Sequence, residues 1–342
     1  MVKSRTALLV LAMHRSGSSL LTGAISAAGV PVGTDLAPPD RHNPTGYWES
    51  RSINRVLEEI LQSAESRWHD WRRLSFSDPH KRARAVQSLR DVVEGNFPTA
   101  ELFAIKDPRS CRVASAWREA LDSLGIRQKV IVSVRHPCEV ALSLNARDGM
   151  PIDKGILLWT RHVLDAIVDS RGLPATIVRY EDVLANGRAE LDRIAAVLDI
   201  AWPAGEAEMA ARLGDLITPG LRHHRHTDTA LAAYTDATWA RGLWSLLQDG
   251  DAAIRETATV DALAAEFTRA IRPFENYFCR LEAGYESALA QIKTLRQELD
   301  RAKWRLGDAA VRADGSLEDP QRTIHDLAAR VSAMEAAIFG TE

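Results

Sequence analysis

The run Leu8-Leu9-Val10-Leu11-Ala12-Met13-His14-Arg15-Ser16-Gly17-Ser18-Ser19-Leu20-Leu21 decides how this chain is read. Its apolar first part predicts a buried strand and its short polar middle a tight loop. Leu20, Leu21, Ala24 and Ile25 restart an apolar face at helical spacing. Strand, loop and helix start in that order form an anion cradle, because backbone N–H groups at the helix N-terminus converge on one spot and the helix dipole adds positive potential there. Ser16, Ser18 and Ser19 add hydroxyl donors, and Arg15 adds a fixed charge on a planar donor fork. The stretch alone also fits an ordinary buried strand followed by a serine-capped helix.

Outward from this run, strand and helix alternate. A Pro- and Gly-rich loop leads to Asn43-Pro44-Thr45-Gly46-Tyr47-Trp48-Glu49-Ser50, whose proline and glycine favour a turn that offers two aromatics and a carboxylate at the mouth of the strand, loop and helix, or else a surface turn whose aromatics cover the core. Helices are predicted from about Ile53 to Ser63 and from Asp78 to Glu94. Arg67 to Phe76, with Trp68 and Trp71, has no assignable element. Leu102 to Ile105 predicts a second strand, ending in Lys106-Asp107-Pro108-Arg109, and a short helix with Val113, Trp117 and Leu121 follows. Lys129 to Val134 predicts a third strand, ending in Arg135-His136-Pro137, with Ser143 one turn into the next helix. After a helix from about Asp153 to Arg171, Ala175 to Asp182 predicts a fourth strand ending in Arg-Tyr-Glu-Asp. A helix from Arg188 to Leu198 closes the unit.

This order predicts an α/β fold: a P-loop-like parallel sheet flanked by helices on both faces, with right-handed crossovers. Such sheets bind ligands beyond the carboxyl ends of their strands. Arg15, Lys106, Arg135 and Arg179 would then form one basic rim suited to a ligand with several phosphates. The domain expectation is a core of about 5–200, a helical or lid part of about 201–275, and a C-terminal extension of 276–342. In that extension, Leu281, Tyr285, Ala288, Ile292, Leu295, Leu299, Ala302 and Leu306 follow a heptad. A second stripe runs through Ile324, Leu327, Val331, Met334 and Ile338. Two stripes around a loop predict a helical hairpin or coiled coil, with a homodimer through these helices as one use of it. A pair of amphipathic helices lying on the main domain is the other.

Composition narrows the classes. With 342 residues and a formal net charge of -3, nothing pulls the whole chain towards nucleic acid or an anionic membrane. The three cysteines have no pairing or CxxC spacing, which fits a reducing compartment and argues against a disulfide framework or zinc site. No apolar run reaches membrane-spanning length and no signal-peptide pattern follows the first residues, so the expected location is cytoplasmic. Leu221-Arg222-His223-His224-Arg225-His226 is a compact basic cluster. It lacks Cys or carboxylate partners at ligand spacing, and it reads as a loop closing over the anionic site or as a solvated loop.

A Walker A loop reads GxxxxGK[ST]. Here its lysine is absent, Arg15 occupies an uncharged position, and no clear Walker B aspartate follows a strand. A Mg-ATP kinase acting on a small molecule is therefore the weaker enzymatic alternative. The Arg15-Ser16-Gly17-Ser18-Ser19 loop resembles instead the 5′-phosphosulfate loop of sulfotransferases that use 3′-phosphoadenylyl sulfate. Arg135 with Ser143 resembles that family's 3′-phosphate motif. Asn-Pro-x-Gly-Tyr-Trp-Glu and Lys-Asp-Pro-Arg are similar to stretches of its bacterial branch, with looser counterparts in the carbohydrate and tyrosylprotein enzymes. The resemblance covers about residues 5 to 200.

The resemblance implies transfer of a sulfuryl group from 3′-phosphoadenylyl sulfate to an acceptor hydroxyl, with adenosine 3′,5′-bisphosphate as product and no metal. Arg15 with Ser16, Gly17, Ser18 and Ser19 would hold the 5′-phosphosulfate. Arg135 and Ser143 would clamp the 3′-phosphate, and Arg179 and Tyr180 would border the nucleotide. Glu49 is the expected base, with Asp35, Asp40 or a histidine as alternatives. Lys106 would reach the sulfuryl group. Arg109, Tyr47 and Trp48 would meet an acceptor, expected to be a glycan or glycolipid. Strand-end salt bridging is the competing reading of Lys106, Arg109 and Arg179. A non-catalytic scaffold using its C-terminal helices is the non-enzymatic alternative.

Overall fold

A computed structural model of the chain describes residues 5–40, 43, 46–76, 78–216, 231, 238–312 and 318–339. The chain forms two compact units, Met1–Phe267 and Thr268–Glu342.

The first unit is built on a four-stranded parallel sheet. Its strands are β1 (Thr6–Ala12), β2 (Leu102–Lys106), β3 (Arg127–Val134) and β4 (Ala175–Arg179), in the spatial order β2-β1-β3-β4. Every residue of β1 is buried, as its unbroken apolar run requires of a central parallel strand. The register pairs Val10 with Lys106 on one side and Ala12 with Ser133 on the other, and Val134 with Arg179 beyond. The carboxyl ends of all four strands therefore lie along one edge.

Helices cover both faces. Helix α1 (Ser18–Ala27) follows the loop, then come α2 (Arg51–Ser63), α3 (Pro79–Asn96), α4 (Ala114–Ser123), α5 (Pro137–Asp148), α6 (Ile152–Asp169), α7 (Tyr180–Leu198) and α8 (Glu206–Leu216). Leu8, Val10, Ala104, Ile131 and Val178 pack with α1, α7 and α8 in one core cluster. Helices α4 and α6 contact the strands separately. This confirms the α/β class.

Two boundaries differ from the sequence reading. β4 stops at Arg179, and Tyr180-Glu181-Asp182 opens α7 instead of extending the strand. Two acids in a first turn favour a helix start through the dipole. Helix α7 runs on to Leu198 with a break at Asn186, so the helix expected from Arg188 is only its second half. The basic cluster at 221–226 lies outside the described residues. No helix of the described residues is long and apolar enough to cross a membrane.

In the second unit, helices Glu275–Arg312 and Glu318–Phe339 pack together. Leu295, Leu299, Leu327 and Val331 form the seam, with Ala302, Ile324 and Met334 against it. Arg296, in the middle of the first helix, pairs with Glu335, near the end of the second. Among the described residues, this is the expected helical hairpin.

Candidate functional site

The site begins where β1 ends. Arg15 (φ 67°) and Gly17 (φ 83°) both adopt left-handed backbone, which turns the loop sharply before α1, and Ser16 N–H closes the turn on the Met13 carbonyl at 3.2 Å. Gly17 is needed twice over. It holds a positive φ, and a Cβ there would lie 2.2 Å from Cδ2 of Tyr180. Helix α1 has no acidic residue in its first turn, so nothing internal offsets its positive end. Ser16 is fully buried, and its Oγ has no hydrogen-bond partner among the described residues.

The sheet brings two groups to the two sides of this loop. On the β2 side stands Lys106, only 3 % exposed. Its Nζ donates to Glu49 Oε1 at 2.5 Å, to the Tyr47 carbonyl at 2.9 Å and to Ser19 Oγ at 3.2 Å. Burial pushes the Glu49 carboxyl above its ordinary value, with Lys106 opposing and Asp107 adding to the rise. On the β3 side, Arg15 Nε donates to Ser143 Oγ at 2.9 Å. Arg135 donates through Nε to the buried Glu139 at 2.8 Å and through an NH group to the Arg15 carbonyl at 3.4 Å. The guanidinium of Arg135 lies 4.6 Å from the ring centre of Tyr180, the same ring that closes on Gly17. Burial, then Arg147 and Arg135, lower the Arg15 pKa, as expected where cations crowd together.

The structure gathers Arg15 to Ser19, Glu49, Lys106, Arg135, Ser143 and Tyr180 into this one region. Arg109 sits beside it, bound to Asp107 at 3.0 Å and to Glu58 at 2.5 Å. Arg179 forms a two-bond pair with Asp182 at 2.8 and 2.9 Å on the first turn of α7 and is partly exposed. Its salt bridge is the strand-end pairing anticipated for it. Tyr47 donates its hydroxyl to Asp40 at 2.8 Å. Trp48 does not stand in the mouth: its indole packs on the cluster under α1, against Gly23 and Leu216.

The alternative bases have other employment. Asp35 accepts from the Ser50 and Ser52 hydroxyls and the Ser52 N–H, and these bonds outweigh its burial and lower its pKa. They anchor the start of α2. Asp40 holds Tyr47. His14 is a residue that spacing alone did not single out. Its Nε2 is buried without a partner among the described residues, and its ring lies 4.3 Å from that of Trp68. Burial, followed by Arg109 and Arg147, holds it well below its ordinary pKa and therefore neutral. Arg147 is the second such residue, one helical turn beyond Ser143 on the same face of α5 and paired with Asp148 at 2.6 Å. Among the described residues, no group of three or more His, Cys, Asp and Glu is placed to hold a metal.

No protein-family model matches the chain, and no curated protein matches it. Among solved structures it is similar to the sulfotransferase domain from the Synechococcus PCC 7002 olefin synthase, at 20 % identity over 67 % of this chain and 87 % of that one, with a TM-score of 0.37. It is also similar to the sulfotransferase domain from the curacin biosynthetic pathway, at 15 % identity over 64 % of this chain and 81 % of that one, with a TM-score of 0.34.

Proposed function

We propose that the chain is a sulfotransferase that moves a sulfuryl group from 3′-phosphoadenylyl sulfate to an acceptor hydroxyl. The observation that carries this reading is the convergence at one loop of two chemically different sets of groups. A buried Lys106–Glu49 pair meets Ser19 on one side, and Arg15, Ser143 and Arg135 meet on the other.

The residues fit the donor. The sharply turned loop, the uncompensated start of α1 and the unpartnered Ser16 hydroxyl suit a phosphosulfate. Arg135 keeps donors beyond the one it gives to Glu139, and Arg15 bridges it to Ser143, accepting from Arg135 through its carbonyl and donating to Ser143 through its side chain, which suits a second phosphate. Bound there, 3′-phosphoadenylyl sulfate supplies the sulfuryl group and departs as adenosine 3′,5′-bisphosphate. The chain's own work is positional and electrostatic. Arg15 and the loop N–H groups hold the 5′ end and stabilise charge on the leaving oxygen. Lys106 holds its ammonium beside Ser19, where charge grows on the moving group. Glu49, with its raised carboxyl pKa, accepts the proton of the acceptor hydroxyl.

We further propose a carbohydrate or glycolipid acceptor. Its support is the Trp68 ring against His14, since aromatic faces suit sugar rings. The kinase reading is less well supported. Asp107, the carboxylate that follows β2, is fully buried and held by Arg109 and Asn54. Calorimetry with adenosine 3′,5′-bisphosphate tests the donor assignment. Arg135→Ala should weaken binding by tenfold or more, about 1.4 kcal/mol or beyond, and unchanged affinity would overturn the 3′-phosphate role.

A further inference from the structure

Gly23 lies in the interior of α1, where it is buried and its backbone needs no left-handed conformation. Glycine weakens a helix interior relative to alanine, so its presence there calls for a reason of space. The space is taken by the methyl groups of Leu216 on one side and by the indole of Trp48 on the other. A Cβ on Gly23 would lie 3.0 Å from Nε1 of Trp48 and 2.9 Å from a methyl group of Leu216.

Trp48 itself has φ 55°, a left-handed backbone on a bulky aromatic residue. Such strain persists only where the surroundings impose it. The residues on either side show what the turn achieves. The carbonyl of Tyr47 and the carboxylate of Glu49 both face the ammonium of Lys106. The Glu49 carbonyl accepts from Ala37 N at 2.8 Å, so its main chain is fixed while its side chain is turned inward.

Resting on the reading of Glu49 as the base, we propose that Trp48 is the positioning residue for Glu49. The fit of its indole against Gly23 holds the left-handed turn that aims the carboxylate at Lys106 and the loop. Trp48 acts through Glu49 and the packing of α1, and the acceptor does not touch it.

The test is Gly23→Ala, which presses on the Trp48 indole as well as on Leu216 and changes none of the groups at the loop. It is compared with wild type by adenosine 3′,5′-bisphosphate affinity, by steady-state kinetics and by the Lys106–Glu49 separation in crystals. The expected result is unchanged nucleotide affinity, a widened pair, and a fall of about 100-fold carried by kcat with donor KM unaltered. Adding Trp48→Phe to Gly23→Ala frees the indole side and should recover most of the rate, whereas adding Leu216→Ala, which frees only the other neighbour, should not. Wild-type kinetics with an intact pair in Gly23→Ala would overturn the proposal, as would a failure of Trp48→Phe to recover a lost rate. Should wild type bind the nucleotide but turn over no acceptor, the sulfotransferase reading fails on its own, and the crystal separation still decides the role of Trp48.

Discussion

Replacing Lys106 by methionine keeps the length and apolar body of the side chain and removes its charge and three donors. At 2.5 Å and an effective dielectric of about 20, the attraction between Lys106 and Glu49 is roughly 7 kcal/mol before desolvation is counted. Most of that offsets the loss of water around two groups whose side chains are 2 % and 12 % exposed. Removing one partner leaves the other buried and uncompensated, which costs about 3–5 kcal/mol. The loss should depend on pH. Burial already raises the Glu49 carboxyl in the native state, and without Lys106 it rises further. Between the unfolded value of about 4.3 and the native one, the folded chain keeps a proton that the unfolded chain has released. The variant's stability therefore falls as pH rises through that window, and its deficit against wild type is small near pH 4 and full at pH 8. Urea denaturation followed by tryptophan fluorescence measures it. Lys106→Met with Glu49→Gln removes the stranded charge and should recover all but about 1–2 kcal/mol. A deficit under about 1 kcal/mol, the size of an exposed pair, or one that ignores pH, would refute the account of a buried functional pair.

Glu49→Gln should lower turnover by about 10²–10⁴-fold with nucleotide affinity retained, and near-normal turnover would move the base elsewhere. Gly17→Ala should cost more than about 1.4 kcal/mol of nucleotide affinity, since its methyl group meets Tyr180 at 2.2 Å on left-handed backbone. Gly95→Ala near the end of α3 meets nothing within 4 Å, so it should leave affinity unchanged. Burial, followed by the charge of Arg112, lowers His162 to about 3. The unfolded chain protonates it near 6.5, so stability should be lost as pH falls from about 6.5 towards 3, at up to about 1.4 kcal/mol per pH unit from this group. His162→Gln should flatten the slope of unfolding free energy against pH by about that amount.

Much of the site was legible because chemistry and local structure share one stretch of chain. The switch from an apolar run to Arg15–Ser19 to helical spacing is local, and so is its consequence, a helix start aimed at an anion. The same holds for Lys106, Arg135 and Arg179 at predicted strand ends. Less legible was what each cation does. Arg135 and Arg179 each bind an acid in the first turn of the following helix, Glu139 and Asp182, which spacing permits without requiring. The end of β4 is not legible locally, because Tyr180 is as good in a strand as at a helix start, and the dipole favouring Glu181 and Asp182 acts only once the helix exists.

The sequence by itself determined the alternation of elements, the parallel sheet, the loop before α1 and the paired C-terminal helices, since each follows from periodicity and turn chemistry over a few residues. Only the tertiary structure decided which residues meet. Glu49 and Lys106 are 57 residues apart, and Arg15 and Ser143 are 128 apart. Both pairs form because β1 lies between β2 and β3, an order that depends on how crossovers pack. The same packing chose between the two readings of the turn at Trp48, lodging its ring against the core and Gly23, and set the neutral His14 among cations. Burial and proximity are properties of the folded assembly, and no single stretch of the chain carries them.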